Sequence, residues 1–274
     1  MASSASKIAV LITCFNRRAK TLACLERLQA QDLPPNHQIE VFLVDDGCTD
    51  GTGEAVRHAY PAVNVIQGTG SLYWAGGMRL AWKHAAVTNP DYYLLLNDDT
   101  EIVTHAVRTL LERTGGPDQL SIAVAAIADP ATSAANYGAY KTGTVGLLPC
   151  DVSHDSCSAF NGNCVLITSA VVSTVGTFDP AYTHSMADSD YGLRASSAGI
   201  DIRQPAGILG FCGSNCKAMT WQDPSVPRLR RLRQSQRPTA LPWRDWLHYC
   251  RRHHRFPIWA RHFISPYIRI LLGR

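Results

Sequence analysis

Short apolar runs alternate with amphipathic segments along the first two thirds of the chain. Residues 7–13 (Lys-Ile-Ala-Val-Leu-Ile-Thr) are mostly apolar and β-branched, which predicts a strand. Residues 18–31 put Leu22, Leu25 and Leu28 on one helical face before Pro34-Pro35 breaks the pattern. The change of period then recurs: strands over 39–44, 63–67 and 92–96 are separated by helices over 53–59 and 77–87. Beyond them the pattern predicts a helix over 101–113, a strand over 121–127, and short strands with Gly turns over 129–157. A loop from Ala159 enters a strand ending at Ile167, and Ser169 caps a short helix that ends near Gly176. A helix opens at Asp188 and runs to about residue 198, and a last strand covers 202–209. Such alternation predicts an α/β fold with a mostly parallel, doubly wound sheet. Right-handed crossovers gather the loops after the strands on one edge, where ligands bind in such sheets.

Those loops carry the polar chemistry. Cys14-Phe15-Asn16-Arg17 follows the first strand, and the second ends in Asp45-Asp46-Gly47. The third enters a Gly-rich loop, residues 68–77, that holds Tyr73 and Trp74. The buried run 92–96 stops at Asn97-Asp98-Asp99. Two adjacent carboxylates repel, and a cation relieves the repulsion. Hard oxygen ligands suit Mg²⁺ or Mn²⁺ bridging to a phosphate. The triplet also reads as a solvated turn with Asp99 or Thr100 capping the next helix. Asp45 and Asp46 likewise read as an Asx turn. No Gly-x-Gly-x-x-Gly follows the first strand and no Gly-x-x-x-x-Gly-Lys-Ser/Thr is present, which argues against the usual dinucleotide fold and a P-loop nucleotidase.

Composition is that of a globular protein, with 46% hydrophobic and 18% charged residues. No apolar run approaches the roughly 20 residues of a membrane-spanning helix, and the N-terminus lacks a signal-peptide pattern. Nine cysteines without a Cys-x-x-Cys pair predict reduced, mostly buried thiols in a cytosolic protein. The net charge of +4 conceals an asymmetry. Residues 217–274 hold 13 Lys and Arg against Asp223 and Asp245, a net +11, which leaves −7 for residues 1–216. An acidic body and a basic tail predict two jobs, and the division is placed at 216/217.

Taken in order, Thr13-x-Phe15-Asn16-Arg17, Val44-Asp45-Asp46-Gly47-Cys48-Thr49-Asp50-Gly51-Thr52, Gly70 to Gly77, Leu96-Asn97-Asp98-Asp99-Thr100, Gly162-Asn163 and Asp188-Ser189-Asp190-x-x-x-Arg194-x-x-x-x-Gly199 form one signature. Over residues 7–210 the chain resembles the family 2 glycosyltransferases of GT-A fold, of the bacterial rhamnosyl- and galactofuranosyl-transferase-like kind. The resemblance implies inverting transfer of a sugar from a nucleotide diphosphate, UDP- or dTDP-linked, with a divalent metal. It implies that Thr13, Phe15, Asn16 and Arg17 line the nucleotide pocket, with Asp45 accepting from the base imide and Asp46 beside it. Gly70, Trp74, Gly76, Gly77 and Arg79 would shape the donor pocket, Arg79 pairing with the diphosphate; Tyr73 and Trp74 serve core packing equally well. Asn97, Asp98 and Asp99 match the family's Asp-x-Asp position, with Asn in place of its first Asp. Asp99, joined by Asp98, would hold the metal.

Asp188 matches the family's catalytic base, although Ala187 replaces the Glu that usually precedes it; a helix N-cap is the other reading of Asp188. Asn161, Gly162 and Asn163 would lie beside the acceptor. His184 and Asp190 are further acceptor-side candidates, with a surface histidine and an i,i+4 pair to Arg194 as the structural alternatives. The family's third metal ligand, commonly a His beyond the last strand, has no counterpart among Cys212, Ser214 and Asn215.

The tail interleaves aromatic and basic residues. Trp259, Phe263, Tyr267 and the isoleucines of its last segment alternate with Arg261, Arg269 and Arg274. This pattern predicts a helical extension lying on anionic lipid, with a hairpin packed on the body or a second subunit as the alternative. No nucleic-acid-binding motif accompanies it. The sequence therefore predicts a peripheral enzyme on the cytoplasmic face of an inner membrane, acting on a saccharide or lipid-linked saccharide in bacterial surface polysaccharide synthesis. A homo-oligomer stays open. A sugar-nucleotidyltransferase and a non-catalytic sugar-nucleotide-binding scaffold are the alternatives, Ala187 favouring the latter.

Overall fold

The computed structural model describes residues 5–143, 146–150, 157–213 and 218–273. β1 (Ser6–Cys14), α1 (Arg18–Gln29), β2 (His37–Asp45), α2 (Thr52–Ala59), β3 (Asn64–Gln67), α3 (Tyr73–Ala86) and β4 (Tyr92–Leu96) form the first half. β5 (Glu101–Ile102), α4 (Ala106–Thr114), β6 (Ser121–Val124) and β7 (Ala126–Ala128) follow, then β8 (Ala135–Tyr137), β9 (Ala139–Gly143) and β10 (Gly146–Pro149). β11 (Ala159–Phe160), β12 (Cys164–Thr168), α5 (Ser169–Val175), α6 (Ala187–Ser197), β13 (Asp201–Arg203) and β14 (Ile208–Phe211) complete the body. α7 (Arg228–Ser235), α8 (Trp243–His253) and α9 (Ile258–Leu271) form the tail.

The main sheet has seven strands in the order β13-β6-β12-β4-β1-β2-β3. All pairs are parallel except those of β12, which runs antiparallel to both β4 and β6. β1 sits centrally because both its faces are apolar. Ala9 and Leu11 join the face covered by Met78, Ala81 and Trp82 of α3, while Ile8, Val10 and Ile12 join the face covered by Leu25 of α1 and Leu110 of α4. β4 divides the same way, Tyr93 and Leu95 against Tyr92, Leu94 and Leu96. The chain leaves β1 towards β2 and β3 and then returns to place β4 on the other side of β1. That reversal is a topological switch point, and the loops after β1 and β4 diverge there.

Tertiary contacts redraw several sequence-level boundaries. The helix expected over 101–113 begins at Ala106, because Glu101 and Ile102 pair with Phe211 and Gly210 of β14 and Val103 N–H donates to Leu209 O. α3 begins at Tyr73, four residues earlier than its apolar period implies. The Asp46 carboxylate accepts from the N–H groups of Leu72 and Tyr73 at 2.9 and 3.0 Å, satisfying donors that every helix start leaves open. The strand expected over 121–127 divides into β6 and β7, and that over 202–209 into β13 and β14. The cap of α5 is Thr168, one residue before Ser169.

The expectation that all cysteines are reduced fails at Cys150 and Cys157, which form a disulfide. β10 and β11 both pair antiparallel with β9, so the residues flanking them are brought together across it. Cys14, Cys24, Cys164, Cys212 and Cys250 are buried thiols, as expected, and Cys48 is half-buried. Cys216, Ser214 and Asn215 lie outside the described residues.

The tail helices α8 and α9 pack on each other, and α8 is fastened to the body. Tyr249 enters the upper core beside Tyr191, and Trp246 packs against the same cluster. Asp190 of α6, fully buried, accepts from Arg194 at 2.9 Å, Arg252 at 3.1 Å and Tyr182 at 3.1 Å, and lies 2.8 Å from His253 Nε2. Burial alone would raise the Asp190 carboxyl, but His253, Arg194 and Arg252 together hold it well below the usual carboxylate range. Among the described residues, no helix is long and apolar enough to cross a membrane.

Candidate active site

The loops after β1, β2 and β4, the loop before β12 and the start of α6 enclose two joined recesses at the C-terminal edge of the sheet. One, about 370 Å³, is lined by Thr13, Phe15, Asp46, Gly70 and Tyr73 among others. The second, about 410 Å³, is lined by Asn97, Asp99, Asn161, Gly162, Asn163 and Asp188 among others. Arg17, Trp74, Asp98, His184 and Thr239 line both, so the recesses are continuous.

Gly70 adopts φ +84°, in the region that favours glycine, and its N–H donates to Asp46 at 2.8 Å. Asp46 thus ties the Gly-rich loop to the end of β2. The exposed rings of Phe15 and Tyr73 flank the first recess, which gives it apolar walls suited to a planar base or a sugar face.

Asp98 and Asp99 leave β4 side by side and converge on one cation. Arg17 Nη1 donates to Asp98 at 3.1 Å and to Asp99 at 2.9 Å, with Lys20 Nζ 3.7 Å from Asp99. Burial and the neighbouring Asp99 charge push the Asp98 carboxyl up to about 6 against the pull of Arg17. Two carboxylates thus face Arg17 and the more distant Lys20. Hard oxygen donors on the wall of a polar recess, one of them raised by burial, fit a divalent cation. Cys212 Sγ lies 3.6 Å from Asp99 Oδ1, and burial with the Asp99 charge pushes the thiol up to about 11.

Asp188 sits in the first turn of α6 and faces the second recess. Its carboxylate accepts from Gly162 N–H at 3.0 Å and Ser189 N–H at 2.8 Å. Burial raises its pKa against these hydrogen bonds, which leaves it more basic than a solvated aspartate. Gly162 is confined: an added Cβ would collide with the Trp74 ring and approach Asp188 Cβ at 3.6 Å. Trp74 is itself held by donating its indole N–H to Asn97 Oδ1 at 2.7 Å. Ala187, which stands where the family has Glu, is fully buried in the upper core. His184 accepts from Trp74 N–H at 3.3 Å, and burial, with Arg17 nearby, pushes its pKa down to about 4, so it is neutral at pH 7.

Six expected site residues stand outside the lining of the two recesses. Arg79 donates to the carbonyls of Asp179 and Tyr182 at 3.2 and 2.8 Å, away from both recesses. Gly76 and Gly77 belong to α3, where an added Cβ would meet Leu72 and Thr13 respectively; they allow helix–strand packing. Asn16 accepts from Thr49 N–H at 2.7 Å and braces the neighbouring loop. Asp190 is the buried hub described above, which realises the expected pair with Arg194 in place of an acceptor contact. Asp45 is buried beneath the first recess and accepts from Cys48 N–H at 2.8 Å, the geometry of a local turn.

Cys14, Tyr137, Ser185 and Thr239 line the recesses without having been singled out in the sequence. Cys14 stands inside the first motif and was accessible to sequence reasoning. Thr239 arrives from the tail and carries no local signal.

The sequence profile described as "Glycosyltransferase like family 2" matches residues 5–212. No curated protein matches the chain in sequence. Among solved structures, the mannosyltransferase PcManGT from Pyrobaculum calidifontis, in complex with GDP-Man and Mn²⁺, superposes with a TM-score of 0.61 at 16% identity, over 97% of this chain and 70% of that one. S. aureus TarS 1-349 in complex with UDP gives 0.57 at 14% identity, over 94% and 72%. Against the longer TarS chain the TM-score is also 0.57, at 13% identity, and the match covers 44% of it. These likenesses establish the GT-A architecture, and the profile spans most of the chain. The chain belongs to the glycosyltransferase family 2-like proteins.

Proposed function

We propose that the chain is an inverting transferase that moves a sugar from a nucleotide diphosphate to an acceptor hydroxyl. The observation that carries this reading is the opening of the Asp98–Asp99 pair and of Asp188 into one recess. Phe15, Tyr73, Asp46 and Gly70 would receive the nucleoside, and Arg17 its diphosphate. Asp99 and Asp98 would hold Mn²⁺ or Mg²⁺, which offsets the charge of the departing diphosphate when bound. Asp188 takes the proton of the acceptor hydroxyl as that oxygen attacks the anomeric carbon. The bond from that carbon to the diphosphate breaks, and the electron pair leaves with the nucleotide. Neutral His184 and the backbone at Gly162 and Asn163 position the acceptor.

The finer reading is a UDP- or dTDP-sugar donor and a rhamnosyl- or galactofuranosyl-transferase-like activity on a lipid-linked saccharide in bacterial surface polysaccharide synthesis. Residues 1–216 would form the catalytic domain and 217–274 an extension on the cytoplasmic face of the inner membrane, with a homo-oligomer compatible. The exposed stripe Ile264, Ile268 and Leu271 on α9, with Phe256 and Ile258 before it, supports the membrane placement. PcManGT and TarS 1-349, in their complexes with GDP-Man and Mn²⁺ and with UDP, support the donor class.

The test is Asp188→Asn, with turnover and donor affinity measured together. The expected result is a loss of about 10²–10⁴-fold in kcat with an unchanged donor Kd. An unchanged kcat contradicts the assignment of the base.

A further inference from the structure

A third cleft, about 500 Å³, opens from the active site towards the tail. Arg17, His184 and Thr239 line it as well as the two active-site recesses, so the three spaces meet at these side chains. Its outer wall belongs to the segment before α7 and to α7 with the loop after it, through Trp221, Gln222, Gln234 and Arg237.

This wall is built. Arg231 Nε donates to Trp221 O at 2.8 Å, and Gln234 Nε2 donates to Met219 O at 3.1 Å, which fixes the Trp221 segment on α7. On the other side Ser185 Oγ donates to Pro238 O at 3.4 Å, and Tyr267 of α9 donates to Leu241 O at 3.0 Å. The loop carrying Arg237 and Thr239 is thereby held against the segment that leads into Asp188.

Two properties of the cleft specify what it takes. Among the described residues, no carboxylate lines it. Arg237 forms no ion pair among the described residues, whereas the Arg17 charge is engaged by Asp98 and Asp99 and His184 is neutral at pH 7, so Arg237 supplies the net charge. Gln234 Oε1 is sealed inside the wall, whose geometry the amide nitrogen fixes on Met219 O. The Trp221 indole offers a flat apolar face to a sugar ring, and Arg237 offers a fork for an anion.

We infer that this cleft extends the acceptor site outward from the recess beside Asp188 and that it selects an anionic saccharide, its ring beside Trp221 and its acidic group on Arg237. The inference rests on the transferase reading above and adds the chemistry of its acceptor. The anion is either a sugar carboxylate or the diphosphate of a lipid-linked sugar. Both present the same charge to Arg237.

The experiment titrates the full chain by saturation-transfer NMR with methyl β-glucuronide, N-acetylglucosaminyl diphosphoryl farnesol and neutral methyl β-glucoside. UDP, dTDP and GDP with Mn²⁺ are titrated into the same samples. One anionic probe is expected to bind more tightly than the glucoside, and which one identifies the source of the anion. Arg237→Gln is expected to weaken that probe about tenfold or more while leaving the glucoside within about twofold. Trp221→Ala weakens all saccharides and leaves nucleotide binding unchanged. Equal binding of the three saccharides, or full retention of the anionic probe by Arg237→Gln, overturns the anionic assignment. Protein that binds a nucleotide and none of the saccharides overturns the subsite. Failure to bind any nucleotide contradicts the transferase reading instead.

Discussion

Two clusters in this molecule use the same chemical groups to opposite ends. At the end of β4, Asp98 and Asp99 share Arg17 and a more distant Lys20. Under α6, the single carboxylate of Asp190 receives Arg194, Arg252, His253 and a tyrosine hydroxyl. The first sets two carboxylates against Arg17 and the more distant Lys20 and opens into a cleft. The second rings one buried carboxylate with donors, of which Arg252 is shared with Asp179, and is sealed. Their protonation differs too: Asp98 is pushed up to about 6 by burial and its neighbour, while Asp190, also buried, is held low by its donors. A carboxylate pair at a ligand-facing edge is a place for a bound cation; a sealed carboxylate ringed by donors is a joint. The joint lies two residues from Asp188, so the tail helix α8 fixes the helix that carries that side chain.

Breaking the joint should have the largest effect on stability. Asp190→Ala removes the buried carboxylate shared by Arg194, Arg252 and His253, leaving Arg252 with Asp179 and Arg194 with the carbonyls of Val175 and Thr177, and should cost about 3 kcal/mol, read by chemical denaturation. A cost below 1 kcal/mol would show that water replaces the carboxylate and that the cluster is no joint.

The two clusters should also pull stability in opposite directions with pH. Asp98 binds its proton more tightly folded than unfolded, so its contribution is fully present below the ordinary aspartate range of about 4 and is lost as pH rises through about 6. Asp98→Asn should remove that loss, making the variant more stable than wild type at pH 8 by on the order of 3 kcal/mol, with little difference at pH 4. Asp190, with its pKa lowered, contributes above the unfolded aspartate value and loses the contribution as pH falls below it. Denaturation curves across pH 3–8 on both variants separate the two signs. A parallel pH dependence in both contradicts the contrast.

The smallest effect is expected at Arg79, which the motif alone assigns to the diphosphate. The guanidinium holds the carbonyls of residues 179 and 182, so Arg79→Lys should leave nucleotide affinity within about twofold and lower stability by about 1–2 kcal/mol. A tenfold loss of affinity by calorimetry would restore the motif's reading.

What was legible in the sequence is what is local. The apolar runs gave β1, β2 and β4, because burial leaves few polar positions inside them, Glu40 of β2 being one, and the polar loops after them line the recesses. What was not legible depends on partners far along the chain. Asp46 starts α3 from 26 and 27 residues away. β5 exists because β14 pairs with it, and Asp190 meets Arg252 and His253 across 62 and 63 residues. Thr239 enters the site from a tail whose composition reads as a membrane surface, although one face of that tail completes the core. Motif position also could not show that Arg79 turns to the carbonyls of residues 179 and 182, that Gly77 packs α3 on β1, or that Asn16 braces Thr49.

The central claim is that the carboxylate pair at the end of β4 holds a cation that a nucleotide diphosphate shares. Thermal unfolding of wild type and Asp99→Ala with UDP, dTDP and GDP, each with and without Mn²⁺, tests it most directly. Binding to the native state stabilises by mass action, about 2.7 kcal/mol at a hundredfold excess over Kd. The account predicts a shift with one nucleotide that depends on Mn²⁺ in wild type and disappears in Asp99→Ala. A shift of equal size without metal, or one retained in Asp99→Ala, would contradict the assignment of the pair; no shift with any nucleotide would contradict the donor site itself.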